Sequence, residues 1–166
     1  AGGAFAVPAI IPASALGRGG AVAPSERIVM GAIGVGGRGT GDMGWMLGEA
    51  DVQFVAVCDV QQGNRERARN LVNSRYGNQD CAAFRDLREV FAQRPDLDAV
   101  LIATGDRWHA PASILAMQAG LDVYCEKPGA LTIAEGQALV AAEARYGRVF
   151  QTGAQQIGRA SCRVRV

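Results

Sequence analysis

The sequence is short of several things, and each shortage removes a class of function. It has one histidine, and its four cysteines (Cys58, Cys81, Cys125 and Cys162) show no metal-ligand spacing, so no metal site is expected. Four thiols spread over 166 residues are also too sparse for a disulfide-stapled scaffold, and they read as free thiols, two of them within strands. Charge of one sign is missing too. There are 17 basic against 16 acidic residues, a net charge of +1 with no long run of either sign, which leaves no tract for nucleic acid and no acidic tail. No apolar stretch is long and unbroken enough to span a bilayer. Neither a nucleic-acid nor a membrane partner is expected. Aromatics make up only 6% of the chain, whereas apolar residues make up 49% and there are 22 glycines. That is the profile of an Ala/Val/Gly-rich α/β protein, in a length that suits one domain with a proper core.

Both ends look foreign to such a domain. The opening "AGGAFAVPAIIPASALGRGG" is small, apolar and interrupted by proline, and Ala13-Ser14-Ala15 has the form of an A-x-A cleavage site. Residues 1–24 are therefore expected to be the later part of an export signal followed by a linker. At the other end, "IGRASCRVRV" is rich in arginine, lacks acidic partners and resembles one reading frame of a common sequencing-library adapter. Residues 156–166 are expected to be non-native. The domain proper is expected over residues 25–155.

Within it, short apolar runs alternate with helix-like segments. "RIVMGAIG" (27–34), "VQFVAVCD" (52–59), "CAAF" (81–84), "DAVLIAT" (98–104), "LDVYCEK" (121–127) and "RVFQTGAQ" (148–155) read as strands. "GTGDMGWMLGE" (39–49), "GNRERARNLVNSRYG" (63–77), "DLREVFAQRPDL" (86–97), "PASILAMQAG" (111–120) and "TIAEGQALVAAEARYG" (132–147) read as helices. Met43, Trp45 and Met46 are expected to pack the first of these helices. Strands joined by helical crossovers form a parallel, doubly wound sheet.

The glycine-rich stretch "AIGVGGRGTGDM" falls where the first strand turns into the first helix. Gly34-x-Gly36-x-x-Gly39 follows that strand, and Asp59 closes the second strand, 20 residues past Gly39. This context is what a dinucleotide-binding, Rossmann-like fold requires. Gly34 permits the tight turn, Gly36 lets the backbone approach a pyrophosphate, and Gly39 lets helix and strand pack closely. Gly37 and Arg38 complete the loop, whose N–H groups and helix dipole suit an anion. Asp59 can accept hydrogen bonds from the adenosine ribose. A carboxylate there repels a 2′-phosphate and Val60 adds no cation, so NAD is expected over NADP, although Arg38 could assist a phosphate.

Two further runs stand at strand ends, "ATGDRWHAP" (103–111) and "CEKPGALT" (125–132). Taken with "GVGGRG", they resemble the N-terminal half of the Gfo/Idh/MocA oxidoreductase family, in which the fourth strand usually ends in a T-P-x-x-W-H-like run and the fifth in E-K-P. The resemblance covers about residues 27–155. It implies that Thr104, Asp106, Arg107, Trp108 and His109 flank the cofactor, and that Glu126 and Lys127 face the nicotinamide and the substrate. Gly105 departs from the usual proline, and Arg107 stands where some relatives carry His or Glu.

Taken alone, His109 reads equally as a residue capping the helix from Pro111, and Trp108 as core. Lys127 follows an apolar strand, where partial burial beside a bound cofactor would suit it to proton transfer. The plain alternative is a surface lysine paired with Glu126. The resemblance implies hydride transfer between a nicotinamide cofactor and a sugar, inositol or related polyol, with Lys127 as the catalytic residue of this segment. It also implies a second α/β substrate domain absent from this chain, which would bring further catalytic residues and a homo-oligomer interface. Two alternatives stand beside it: an NAD-dependent glycosidase of the same fold, and a non-catalytic NAD-binding protein. A periplasmic location by the twin-arginine route is expected if the leader is genuine.

Overall fold

The computed structural model describes residues 22–154 together with Gly17. The export-like stretch through Ala15, the tail from residue 156 and Cys162 lie outside the described residues. The chain runs β1 (Ile28–Ile33), α1 (Gly37–Met46), β2 (Val52–Cys58), α2 (Gln62–Tyr76), β3 (Ala82–Phe84), α3 (Leu87–Gln93), β4 (Ala99–Ile102), α4 (His109–Gln118), β5 (Asp122–Glu126), α5 (Ile133–Tyr146) and β6 (Phe150–Gly153). All six strands are parallel, in the order β3-β2-β1-β4-β5-β6. That is the Rossmann-like doubly wound sheet expected, with its switch point between β1 and β4.

Successive side chains of a strand point to opposite faces, and the two cores follow that rule. Val100 and Ile102 join Val90 of α3, Met117 of α4 and Leu139 of α5 on one face. Leu101 joins Met30, Phe54, Met43 of α1 and Val72 of α2 on the other. Three buried alanines on α4, Ala110, Ala112 and Ala116, keep that helix close to the sheet. Its fit leaves little room for larger residues.

Four details differ from expectation, the first being that α3 ends at Gln93 rather than Leu97, because Arg94 precedes a proline and leaves the helical region. Helix α1 starts at Gly37, two residues before the expected Gly39, with extended Gly36 as its cap. Helix α4 starts at His109 rather than Pro111. The first-turn N–H groups of a helix have no acceptor within it, so a proline there forfeits no hydrogen bond. Trp45 does not pack the core and is 60% exposed, while Met43 is fully buried. Two residues along a helix turn the side chain by about 200°, so Trp45 faces the opposite way.

Candidate functional site

Because every strand is parallel, all the sequence-predicted site residues lie along the carboxyl edge of the sheet. The turn after β1 is defined by what cannot fit there. Gly34 has φ +81°, and a Cβ on it would lie 2.6 Å from the Thr104 nitrogen, so β1 and the end of β4 meet with no room for a side chain. A Cβ on Gly39 would lie 2.0 Å from the Gly34 carbonyl oxygen. Gly37 is the reverse case. A Cβ there would meet nothing within 4 Å, and one on Gly36 would meet only the Asn64 amide nitrogen at 3.8 Å. The loop is therefore tight towards the protein and open away from it. No side chain caps the start of α1, and its first helical hydrogen bond runs from the Thr40 N–H to the Gly36 carbonyl. The N–H groups ahead of that bond have no acceptor within the helix and lie beside the open side, an arrangement that suits an anion such as a pyrophosphate.

Asp59 is half-buried at the end of β2. Its Oδ1 accepts the Gln61 N–H at 2.9 Å, which holds the carboxylate at the end of β2. Sequence reading assigned no cation here, but the structure supplies one. Arg65 Nη1 donates to the Asp59 carbonyl at 2.7 Å and to the Val60 carbonyl at 3.2 Å. One turn along α2 folds the side chain back over the loop. The signal was present as an arginine in the first turn of the helix that follows the acid.

On the other side of the cleft, the ends of β4 and β5 are tied by His109. Its ring is 2% exposed, with Nδ1 at 2.6 Å from the Pro128 carbonyl and Nε2 at 3.0 Å from the Thr104 carbonyl. Whichever nitrogen carries hydrogen donates. His109 therefore acts on the cleft through the two turns that it braces and does not face it. Its own carbonyl accepts the Ser113 hydroxyl at 2.6 Å. The Lys127–Pro128 bond is cis. Asp106 and Arg107 lie in a single 3₁₀ turn with Trp108, all exposed. Asp106 Oδ1 accepts the Arg107 N–H at 2.9 Å. Trp108 is 54% exposed and is not core. Thr104 is half-buried.

Glu126 and Lys127 separate in role. Glu126 is 3% exposed. Its Oε1 accepts from Arg38 Nη2 at 2.8 Å and Nε at 3.2 Å, and its Oε2 accepts the Lys127 N–H at 3.0 Å. Its charge partner is thus Arg38, 88 residues away, and the expected alternative of a Glu126–Lys127 pair is not formed. Lys127 itself is exposed. These residues do not supply the partial burial expected of it. Asp42, which sequence reading passed over, completes the group. It is 1% exposed, one helical turn after Arg38, with Oδ1 at 3.0 Å from Arg38 Nη2. That contact is charge to charge, without hydrogen-bond direction, and both Asp42 oxygens lack a hydrogen-bond partner. Burial pushes the Asp42 carboxyl above its ordinary range; Arg38 opposes the rise and the Glu126 charge adds to it. The Arg38 guanidinium also lies 5.5 Å from the Trp45 ring centre.

The three described cysteines bring no chemistry to the cleft. Cys58 and Cys125 lie in β2 and β5, and Cys81 precedes β3; all three are free and buried. Burial pushes Cys58 up to about 12, and Cys81 and Cys125 up to about 11, so they are neutral thiols at ordinary pH. Among the described residues there is no cluster able to hold a metal ion, and no helix is long and apolar enough to cross a membrane. A cleft of about 280 Å³ between α5 and β6, lined by Leu139, Val140 and Phe150 together with Glu143 and Thr152 among others, has no cationic side chain in its lining.

Comparison with known proteins points the same way. Residues 28–154 match the family model described as "Oxidoreductase family, NAD-binding Rossmann fold". A "Glycosyl hydrolase family 109 protein 1" of Shewanella sp. (strain MR-4) is 36% identical over 125 residues, which is 73% of this chain and 27% of that protein. An "Alpha-N-acetylgalactosaminidase" of Shewanella oneidensis is 35% identical over 120 residues, covering 70% of this chain and 26% of that protein. The chain thus spans about a quarter of the length of these relatives. Among solved structures, myo-inositol 2-dehydrogenase from Lactobacillus plantarum aligns with a TM-score of 0.67 and 25% identity, over 76% of this chain and 36% of that one. The WlbA dehydrogenase from Bordetella pertussis, in complex with NADH and UDP-GlcNAcA, aligns with a TM-score of 0.68 and 25% identity, over 81% and 39%.

Proposed function

The chain belongs to the Gfo/Idh/MocA oxidoreductase family, and from that premise we propose that it supplies the NAD-binding domain of an enzyme acting by hydride transfer on a sugar, inositol or related polyol. The observation that carries this is the loop after β1, closed against Thr104 at Gly34 and open over Gly36 and Gly37. A nicotinamide cofactor, when bound, supplies a ring carbon that takes up and returns a hydride. The chain's own residues do the rest. First-turn N–H groups of α1 hold the pyrophosphate, and Asp59 accepts from the ribose hydroxyls and disfavours a 2′-phosphate. Thr104 and Trp108 flank the reacting end, and Lys127 aligns the substrate hydroxyl or takes its proton. Titrating NADH into the chain while following fluorescence of the exposed Trp45 and Trp108 tests the reading. Saturable one-to-one binding, tighter for NADH than for NADPH, is expected. Absence of binding at millimolar NADH overturns it.

A second reading is favoured by one finding. The curated relatives at 35–36% identity carry glycosidase names, whereas the dehydrogenase structures stand at 25%. In a glycosidase of this fold, a bound nicotinamide would take up and return the sugar's hydride, so that a proton and the aglycone could leave by elimination and water add in their place, a net hydrolysis with no net oxidation. The test is a chimera with residues 28–154 replacing the matching segment of the Shewanella oneidensis enzyme. Cleavage of an N-acetylgalactosaminide without accumulation of NADH supports the glycosidase. NADH formed in proportion to product supports a dehydrogenase.

A further inference from the structure

The cluster beneath the glycine loop is not used by the hydride transfer proposed above. It contains two buried carboxyl groups, Asp42 and Glu126, and Arg38 stands between them at 3.0 and 2.8 Å. Two buried carboxyl groups that share one guanidinium are costly to keep charged together in a place poor in water. The oxygens of Asp42, nearly sealed from solvent, have no hydrogen-bond partner. A proton on Asp42 would lift the charge and give one orphaned oxygen a hydrogen to donate, while the Arg38 charge opposes its arrival. The groups that face Asp42 are Arg38 on its own helix and Glu126 of β5, with Tyr124 of β5 beside Arg38. Strands β1 and β4, on which α1 packs, carry no titratable side chain.

We propose that binding of a dinucleotide at the α1 N-terminus is coupled to uptake of a proton by the Asp42–Glu126 pair, through the arginine that they share. This rests on the cofactor-binding reading above. Arg38 belongs to the first turn of α1, and its side chain is 50% exposed. An arriving pyrophosphate therefore has two ways to disturb the cluster. If Arg38 turns out to the phosphate, the carboxyl pair loses its guanidinium. If Arg38 stays, the pair gains a nearby anion. Both favour the protonated acid, so the sign is the same: a proton moves from solvent to the carboxyl pair. Affinity must then fall as pH rises. Because Glu126 also holds the Lys127 N–H, the same event reaches the segment that carries Lys127.

The test is calorimetric titration of the whole chain with NADH at neutral pH, in phosphate and in Tris, which differ widely in ionisation enthalpy. Coupling predicts a binding heat that differs between buffers by a substantial fraction of one proton per NADH, and an NADH affinity that declines with pH by the same proton number. Asp42→Asn keeps the shape and should still bind NADH, with the buffer difference and the pH slope both lost. Should Asp42→Asn unfold, Asp42→Leu replaces the acid by an apolar group of similar size and makes the same prediction. A buffer-independent heat in the unmodified chain overturns the proposal, as does undiminished uptake in the Asp42 variant. The two readings fail separately. No NADH binding at all defeats the cofactor reading and this inference with it, whereas binding without uptake defeats this inference alone.

Discussion

The two walls of the cleft are built by opposite means. The wall from β1 and α1 is made by omission: Gly34 and Gly39 sit where any Cβ would strike backbone, and the loop's shape follows from that steric fact. The wall from β4 and β5 is made by addition. A buried histidine joins two carbonyls, and a buried glutamate joins an arginine to a backbone N–H. A wall of the first kind fails when an atom is added, and a wall of the second kind when one is removed.

The largest break should come from Gly39→Ala. Its Cβ would lie 2.0 Å from the Gly34 oxygen, a distance only backbone movement can relieve. Overpacking of this severity costs about 3 kcal/mol or more, and spent on distorting the loop it corresponds to a loss of at least ~100-fold in NADH affinity. Gly37→Ala, with nothing within 4 Å, should bind NADH within a few-fold of the unmodified chain. Equal losses at the two positions in a titration would show that the loop is not limited by this contact.

Next in size is His109→Phe. The phenyl ring is close to the imidazole in volume but removes the ring N–H that one of the Thr104 and Pro128 carbonyls accepts. An orphaned buried acceptor costs about 1–3 kcal/mol. Urea unfolding should show that loss, and NADH affinity should fall with it as the two turns loosen. A side chain that faced the cofactor directly would instead lower affinity with stability unchanged, so the pair of measurements decides which role His109 has.

The contrast between the walls also explains what the sequence could reveal. The strand-helix alternation, the Gly34-x-Gly36-x-x-Gly39 spacing and Asp59 are local patterns, each imposed by a backbone requirement within a few residues of itself. Every strand and helix was legible for that reason, apart from shifts at the ends of α1, α3 and α4. Arg38 and Glu126 are 88 residues apart and His109 and Pro128 are 19 apart, and no periodicity announces such pairs. His109 and Glu126 could be singled out only by the motifs around them. Asp42 could not be singled out at all, because its significance comes from being buried beside a strand end that follows much later in the chain. Trp45 misled for a related reason. An apolar residue near two methionines suggests packing, but helical phase turns it outward towards Arg38.

A smaller effect belongs to Asp59→Asn, which tests the first wall without adding a Cβ. The amide keeps an acceptor towards the Gln61 N–H but removes the charge. Hydrogen bonds to a charged group contribute about 1.5–3 kcal/mol, so NADH affinity should drop by about tenfold or more. NADPH, no longer repelled and with Arg65 nearby, should lose less. Parallel NADH and NADPH titrations read the change as a narrowed ratio. An unchanged ratio would mean that Asp59 does not choose between the cofactors.

The smallest expected effect lies outside both walls. Thr132 and Glu135 form a capping box at the start of α5, with the Thr132 hydroxyl accepting the Glu135 N–H at 3.2 Å and Glu135 Oε2 accepting the Thr132 N–H at 2.9 Å. Thr132→Ala removes one acceptor from an exposed helix end, which costs about 1 kcal/mol. Helix α5 packs against α4 and lies away from the glycine loop, so urea unfolding should shift by that amount while NADH affinity stays the same. If affinity falls as well, general loss of stability feeds into binding, and the falls at His109 and Gly39 must be corrected by the same proportion. If it does not, those falls belong to the cleft.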